Sequence, residues 1–120
     1  MIGYATRETD TYMPLEYELA RRLNEHIYGL HSHDGKTQVT LLDGRLVTTV
    51  CSWCHVSTSQ LDTIISEFVS SDPLFATVAS DEYEKVINPA GDWDQGGFTA
   101  DTGLTGRKLA VDNYGPRVPL

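Results

Sequence analysis

Leu15, Leu19, Leu23 and Ile27 recur every four residues, with Ala20 beside them and Arg21, Arg22 and Glu25 on the other side. A period near 3.6 puts the apolar positions on one helical face, so the spacing predicts an amphipathic helix whose stripe is core. Pro14 suits the first turn, Glu16 and Glu18 favour the positive end, and Gly29 can end it. From residue 36 to 55 the pattern changes to strand-like alternation around Asp43-Gly44, the dipeptide suited to a tight turn, which predicts a β-hairpin. Ser57 and Gln60 then form a capping box ahead of Leu61, Ile64, Ile65 and Phe68, a second apolar helical face that Asp72-Pro73 stops. Short strands are expected at residues 1–5, 85–87 and 107–113, with polar turns at 6–10 and 80–84. The order β-α-β-β-α-β-β predicts an α+β fold: a two-layer sandwich, βαββαβ-like, with both helices on one face of a mixed sheet. Residues 1–120 read as one domain without repeats. Helices on one side only would leave a large apolar sheet face in water, so a homo-oligomer joined through that face is expected.

A chain of 120 residues buries roughly two thirds of its unfolded surface, enough for one core. Its net charge of −8 argues against nucleic acid and anionic membranes as partners, and makes each of its nine basic residues matter by position. No apolar run approaches the ~20 residues that span a bilayer and no signal-like segment leads the chain, so a cytoplasmic protein is expected.

Cys51, Cys54 and His55 form CSWCH, which matches the spacing of covalent haem attachment. Such attachment needs export. A zinc site would need two of His26, His31, His33 and His55, none at a convincing ligand spacing. The simpler reading is a strand end with reduced, alternately buried thiols, and no metal ligands are assigned.

The stretch with most chemistry is residues 87–108, INPAGDWDQGGFTADTGLTGRK. Its glycines let backbone approach a ligand, Trp93 offers a stacking surface, Asp101 a carboxylate for an ammonium group, and Arg107 with Lys108 two positive charges suited to phosphate oxygens. It contains no GxxxxGK[ST] and is not a Walker A loop. Outside it, Asp34 and Lys36 stand at the start of the hairpin, where a turn cap and a solvated charge are the simpler readings. Asp101 could equally close an Asx turn. If residues 107–113 form a strand, adjacent Arg107 and Lys108 face opposite ways.

Three motifs carry a resemblance. IGYATRETDTYMP at residues 2–14, DGKTQVT at 34–40, and NP-x-G, GG, D-x-GLTGRK and VD-x-YG from residue 88 onward resemble, in order and spacing, the S-adenosylmethionine synthetase (methionine adenosyltransferase) family. The match covers nearly the whole chain but only the middle third of the family's usual polypeptide. It implies a βαββαβ-like layer whose open sheet face meets a second subunit. It implies as partners ATP, L-methionine and S-adenosylmethionine, with Mg²⁺ and K⁺ as cofactors. By resemblance, Arg107 and Lys108 contact the triphosphate and Lys36 lies at its phosphate and methionine end. Asp34 holds the ribose hydroxyls, Asp101 meets the methionine amino group, and Trp93 stands where the family places an aromatic against adenine.

The departures matter as well. The family's HPDK segment, its GDQG element before GYAT and the lysine-bearing segment after the YGG turn have no counterpart here, and Asp92 replaces a basic or neutral residue. Arg117 in the tail is a further candidate cation. Three functions follow: a minimal S-adenosylmethionine synthetase, a non-catalytic ATP- or S-adenosylmethionine-binding or synthetase-interacting module, and one component of a split synthetase.

Overall fold

The computed structural model describes residues 3–104 and 106–119. Ile2 and Thr105 of the quoted motifs lie outside them, as do Met1 and Leu120. The elements are α1 (Leu15–Leu30), β1 (Gly35–Leu42), β2 (Arg45–Trp53), α2 (Thr58–Ser71), α3 (Pro73–Ala76), β3 (Glu84–Ile87) and α4 (Leu109–Asp112). β1 and β2 pair antiparallel and β3 adds in parallel to β2, so the described sheet is mixed, in the order β1-β2-β3.

The apolar periodicities become the core. Leu19, Leu23 and Ile27 of α1 and Leu61 and Ile65 of α2 are fully buried against Val39, Cys51 and Trp53 of the hairpin. Each such aliphatic side chain contributes about 1.5–3 kcal/mol by leaving water. Both long helices cover the same sheet face: Thr37 of β1 donates to the Ala20 carbonyl (2.7 Å), and Lys85 of β3 pairs with Asp62 of α2 (2.8 Å). The capping box forms as expected, Ser57 accepting from the Gln60 amide and the Gln60 side chain from the Ser57 amide. Asp72 ends α2 and caps α3, and takes an ion pair from Arg22 of α1. α1 lacks a side-chain cap of its own; Glu8 takes the Leu15 amide instead (2.9 Å).

The hairpin turns at Asp43 and Gly44, both left-handed (φ 50° and 75°), as a two-residue turn of this kind requires. At its other end Trp53 lies flat on the backbone of Gly35. A Cβ on Gly35 would stand 1.9 Å from Trp53 Cε3, so only glycine fits. The indole N–H donates to the His31 carbonyl (3.0 Å), tying the end of β2 to the end of α1.

The strand expected at 107–113 does not form, and no strand is present at residues 3–5, the described part of the one expected at 1–5. Residues 3–5 are irregular, and the Thr6 amide bonds the Tyr12 carbonyl (3.0 Å), closing a loop of its own. The run expected as a strand at 107–113 forms α4, because its amides find partners locally: Asp112 to Lys108 (2.9 Å), Asn113 to Leu109 (3.0 Å) and Gly115 to Ala110 (2.8 Å). A strand needs a neighbour to take its amides, and one helical turn does not. The open sheet face is also less apolar than expected. By alternation it carries Lys36, Gln38, Thr40 and Leu42, then Thr48, Val50 and Ser52, then Glu84 and Val86. No helix among the described residues is long and apolar enough to cross a membrane.

Candidate functional site

The site forms where β1 begins and β2 ends, because residues 88–97 fold back over that edge. Asn88 makes the turn in a left-handed conformation (φ 43°), which asparagine tolerates better than most residues, and it is 4% exposed. Its amide donates to the Cys51 carbonyl (2.8 Å) and its Oδ1 accepts from the Trp53 amide (3.0 Å). Its Nδ2 donates to the Val56 carbonyl and to Asp92 Oδ1, both at 3.0 Å. The same Asp92 oxygen accepts from the amide (3.2 Å) and hydroxyl (2.8 Å) of Thr58, the first residue of α2.

Held this way, the chain delivers Trp93 to the rim. The Trp93 carbonyl accepts from the His55 amide (2.8 Å), and its indole N–H donates to Ser52 Oγ (3.0 Å), leaving the ring half-buried. Ser52 is the cross-strand partner of Lys36, so that lysine starts beside the indole. Asp34, just before β1, takes the Cys54 amide on its carbonyl (2.8 Å) and the Gly97 amide on Oδ2. Its Oδ1 has no partner among the described residues. The rings of His33 and His55 meet edge to face at 4.6 Å on the same rim.

Asp34, Lys36 and Trp93 are thus brought together, while Asp101, Arg107 and Lys108 are not: no hydrogen bond or ion pair among the described residues joins them to this cluster. Asp101 Oδ1 accepts from the Gly103 amide (2.7 Å), an Asx turn. Arg107 and Lys108 are exposed and precede a helix rather than lying in a strand, so alternation does not aim either at the sheet. The segment beyond them docks on the start of α1, where Tyr17 Oη donates to the Val111 carbonyl (3.2 Å). Arg117 is no spare cation, being paired with Glu8 (2.6 Å) and Glu16 (3.0 Å).

The charges divide accordingly. Arg21, Arg22, Lys85 and Arg117 are ion-paired, whereas Lys36, Arg107 and Lys108 form no ion pair among the described residues. Hydrogen bonds from Asn88 and Thr58 hold the Asp92 carboxyl below its usual range. Both cysteines are free and buried, rather than alternately buried. Burial pushes the Cys51 thiol up to about 12, and burial with the charges of Asp34 and Asp94 raises Cys54, so neither supplies a thiolate near neutral pH. Among the described residues no group of three or more His, Cys, Asp or Glu is arranged to hold a metal ion. The donors that the described residues assemble do not fit the Mg²⁺ and K⁺ that the resemblance implies.

Asn88, Asp92 and Ser52 were not singled out as site residues. An asparagine opening NP-x-G was the available signal for the turn. Thr58, which bonds Asp92, and Trp93, which bonds Ser52, lie 34 and 41 residues from their partners, beyond any local pattern.

The family profile described as "S-adenosylmethionine synthetase, central domain" matches residues 1–93. The chain is 40% identical to the S-adenosylmethionine synthase of Kosmotoga olearia, over 99% of this chain and 34% of that protein. It is 38% identical to that of a Nocardioides species, over 96% of this chain and 34% of the relative. An unusual S-adenosylmethionine synthetase from Campylobacter jejuni superposes with a TM-score of 0.78 at 27% identity, covering 98% of this chain and 36% of that one. The chain spans about a third of the length of the relatives it matches. On this evidence it belongs to the S-adenosylmethionine synthetase family, with the fold of that family's central domain.

Proposed function

We propose that this domain is a minimal methionine adenosyltransferase, forming S-adenosylmethionine from ATP and L-methionine with release of phosphate and diphosphate. The observation that carries the proposal is the rim on which Trp93, its N–H edge held by Ser52, stands with Asp34, which keeps one carboxylate oxygen open. A pinned aromatic face suits a purine, and an open carboxylate oxygen suits a ribose hydroxyl.

The methionine sulfur attacks C5′ of ATP and displaces triphosphate, which one water then splits into phosphate and diphosphate, so the protein has to align two substrates and stabilise a leaving anion. Trp93 and Asp34 hold the adenosine. Lys36, beside Ser52 and without an ion pair among the described residues, reaches the phosphate and methionine end. Arg107 and Lys108 supply the remaining charge, and Asp101 keeps Oδ2 for the methionine ammonium group. The buried thiols are not required, because displacement at C5′ needs no enzyme nucleophile. The reaction belongs in the cytoplasm, where ATP and methionine are available.

The separation of Asp101, Arg107 and Lys108 from the Asp34–Trp93 rim favours a site completed by a second chain. We assign that role first to another copy, meeting this one across the open sheet face. The alternatives are a partner chain of a split enzyme and a module that binds nucleotide without turnover. The test is S-adenosylmethionine formation by the purified chain from ATP and methionine with Mg²⁺ and K⁺, over a range of protein concentrations. The expected result is product whose rate rises faster than protein concentration and which is lost in Arg107→Ala. Product appearing only when a second protein is added identifies a split enzyme; nucleotide binding without product under either condition overturns the catalytic reading.

A further inference from the structure

We infer that Asp92 is a positioning residue for base recognition: its carboxylate ties the Trp93 segment to the start of α2 and so fixes the plane of the indole. The inference rests on Trp93 being the base-binding surface proposed above. One oxygen, Asp92 Oδ1, accepts from three donors on two separate elements, the amide and hydroxyl of Thr58 and the Nδ2 of Asn88. Asn88 is itself fixed to the backbone of Cys51, Trp53 and Val56. The next residue is Trp93, whose carbonyl and indole N–H are each taken by the end of β2 or the residues after it.

These bonds have a geometric consequence. The Trp93 backbone is held from one side by Asp92 and from the other by His55, so the indole leaves the chain in one direction and reaches Ser52. Without the Asp92 contacts, the indole is ordered by the Ser52 bond while only His55 holds its backbone, and one neutral hydrogen bond of about 1 kcal/mol barely offsets the lost rotamer freedom. A stacking surface preorganised before ligand arrives spares the ligand the cost of ordering it. The carboxylate oxygen serves as an acceptor here, so an amide oxygen can replace it.

The test compares wild type, Asp92→Ala and Asp92→Asn. Trp53 is 1% exposed, so acrylamide quenching of the ligand-free protein reports chiefly on Trp93. Asp92→Ala should at least double the quenching constant, and Asp92→Asn should restore it. Adenosine binding measured by calorimetry should weaken roughly tenfold in Asp92→Ala and recover in Asp92→Asn, while tripolyphosphate affinity stays unchanged. A merely structural role would lower affinity for both ligands alike and would not spare the amide variant. Unchanged quenching and unchanged adenosine affinity in Asp92→Ala overturn the inference, as does an Asp92→Asn variant as exposed as the alanine. If Asp92→Ala does not fold, Thr58→Val removes the hydroxyl donor, and its quenching constant must rise. Wild type that binds no adenosine refutes the proposed function, whereas the ligand-free quenching result judges the brace by itself.

Discussion

The two ends of the candidate site are built differently. At the Asp34–Trp93 end every loop residue that matters is bonded to the core: Asn88 to β2, Asp92 to α2, Trp93 to Ser52 and Gly97 to Asp34. At the Asp101–Lys108 end the bonds are local, such as Asp101 to Gly103 two residues away, and the cations stand exposed. Under the proposed function the difference fits what each end would bind. A flat, neutral base is recognised by shape, which demands a fixed surface. A phosphate chain is recognised by charge, which unpaired side chains supply without a rigid frame.

Breaking the braced end should cost the fold. Gly35→Ala places a Cβ inside the Trp53 ring, which has to leave its seat between α1 and the hairpin. Overpacking of this kind typically costs about 1–3 kcal/mol, and here we expect the upper end, read as a lower urea midpoint. The adenosine rim should be lost with it, since Asp34 and Cys54 flank that pair of residues. Wild-type stability in Gly35→Ala would mean that the ring is not held as described.

Breaking the exposed end should cost binding alone. Arg107→Ala removes a charge that no ion pair among the described residues uses, so stability should change by less than about 0.5 kcal/mol. A charge-assisted bond to phosphate contributes about 1.5–3 kcal/mol, so tripolyphosphate affinity should fall tenfold or more. Methionine affinity should barely move. Calorimetry with each ligand separates these outcomes, and equal ATP affinity in mutant and parent would sink the assignment.

An intermediate effect lies between the two ends, at the junction of α1 with α2. Burial raises the Asp72 carboxyl, but the Arg22 guanidinium and the amides of Phe75 and Leu74 outweigh it and leave the group below its usual range. A carboxyl depressed in the folded state adds stability that is present above its unfolded value, near pH 3.9, and lost as pH falls through the folded value. With Arg22 37% exposed and therefore screened, Arg22→Met should cost on the order of 1 kcal/mol at pH 7. The difference from wild type should shrink below about pH 4. An equal gap at pH 7 and pH 3 would exclude the linkage.

The braced end was only half legible in the sequence. The helices, the hairpin and the capping box follow from periodicity and turn chemistry, since those signals act over a few residues. Asp34, Lys36 and Trp93 stood out by type and motif. Asn88 and Asp92 are also placed by type, as a turn residue and a carboxylate, but their roles come from partners that only folding brings near. The strand expected at 107–113, and the described residues 3–5 of the one expected at 1–5, are not strands for a related reason: a short apolar run specifies burial, not a neighbour to pair with. The apolar sheet face expected from helices on one side was likewise not specified residue by residue: Val50 and Val86 lie on it, but so do Lys36, Gln38, Thr40 and Glu84.

The smallest predicted effect uses the two thiols as reporters of the comparison. Cys51 is sealed in the core, whereas Cys54 lies under the loop, where a Cβ on Gly96 would stand 3.2 Å from its sulfur. Both thiols are protonated near neutral pH, so alkylation should be slow at both sites. Reaction at Cys51 requires opening of the core, while reaction at Cys54 requires only that residues 96–97 lift from Asp34, a smaller and more frequent event. Peptide mapping after iodoacetamide at pH 8 should therefore find Cys54 modified first. Adenosine should slow that reaction further by holding Asp34 and Trp93 in place, and should leave Cys51 unaffected. Equal rates at the two sites would mean that the loop and the core open together, so that the braced end is part of the global fold rather than a strap laid over it.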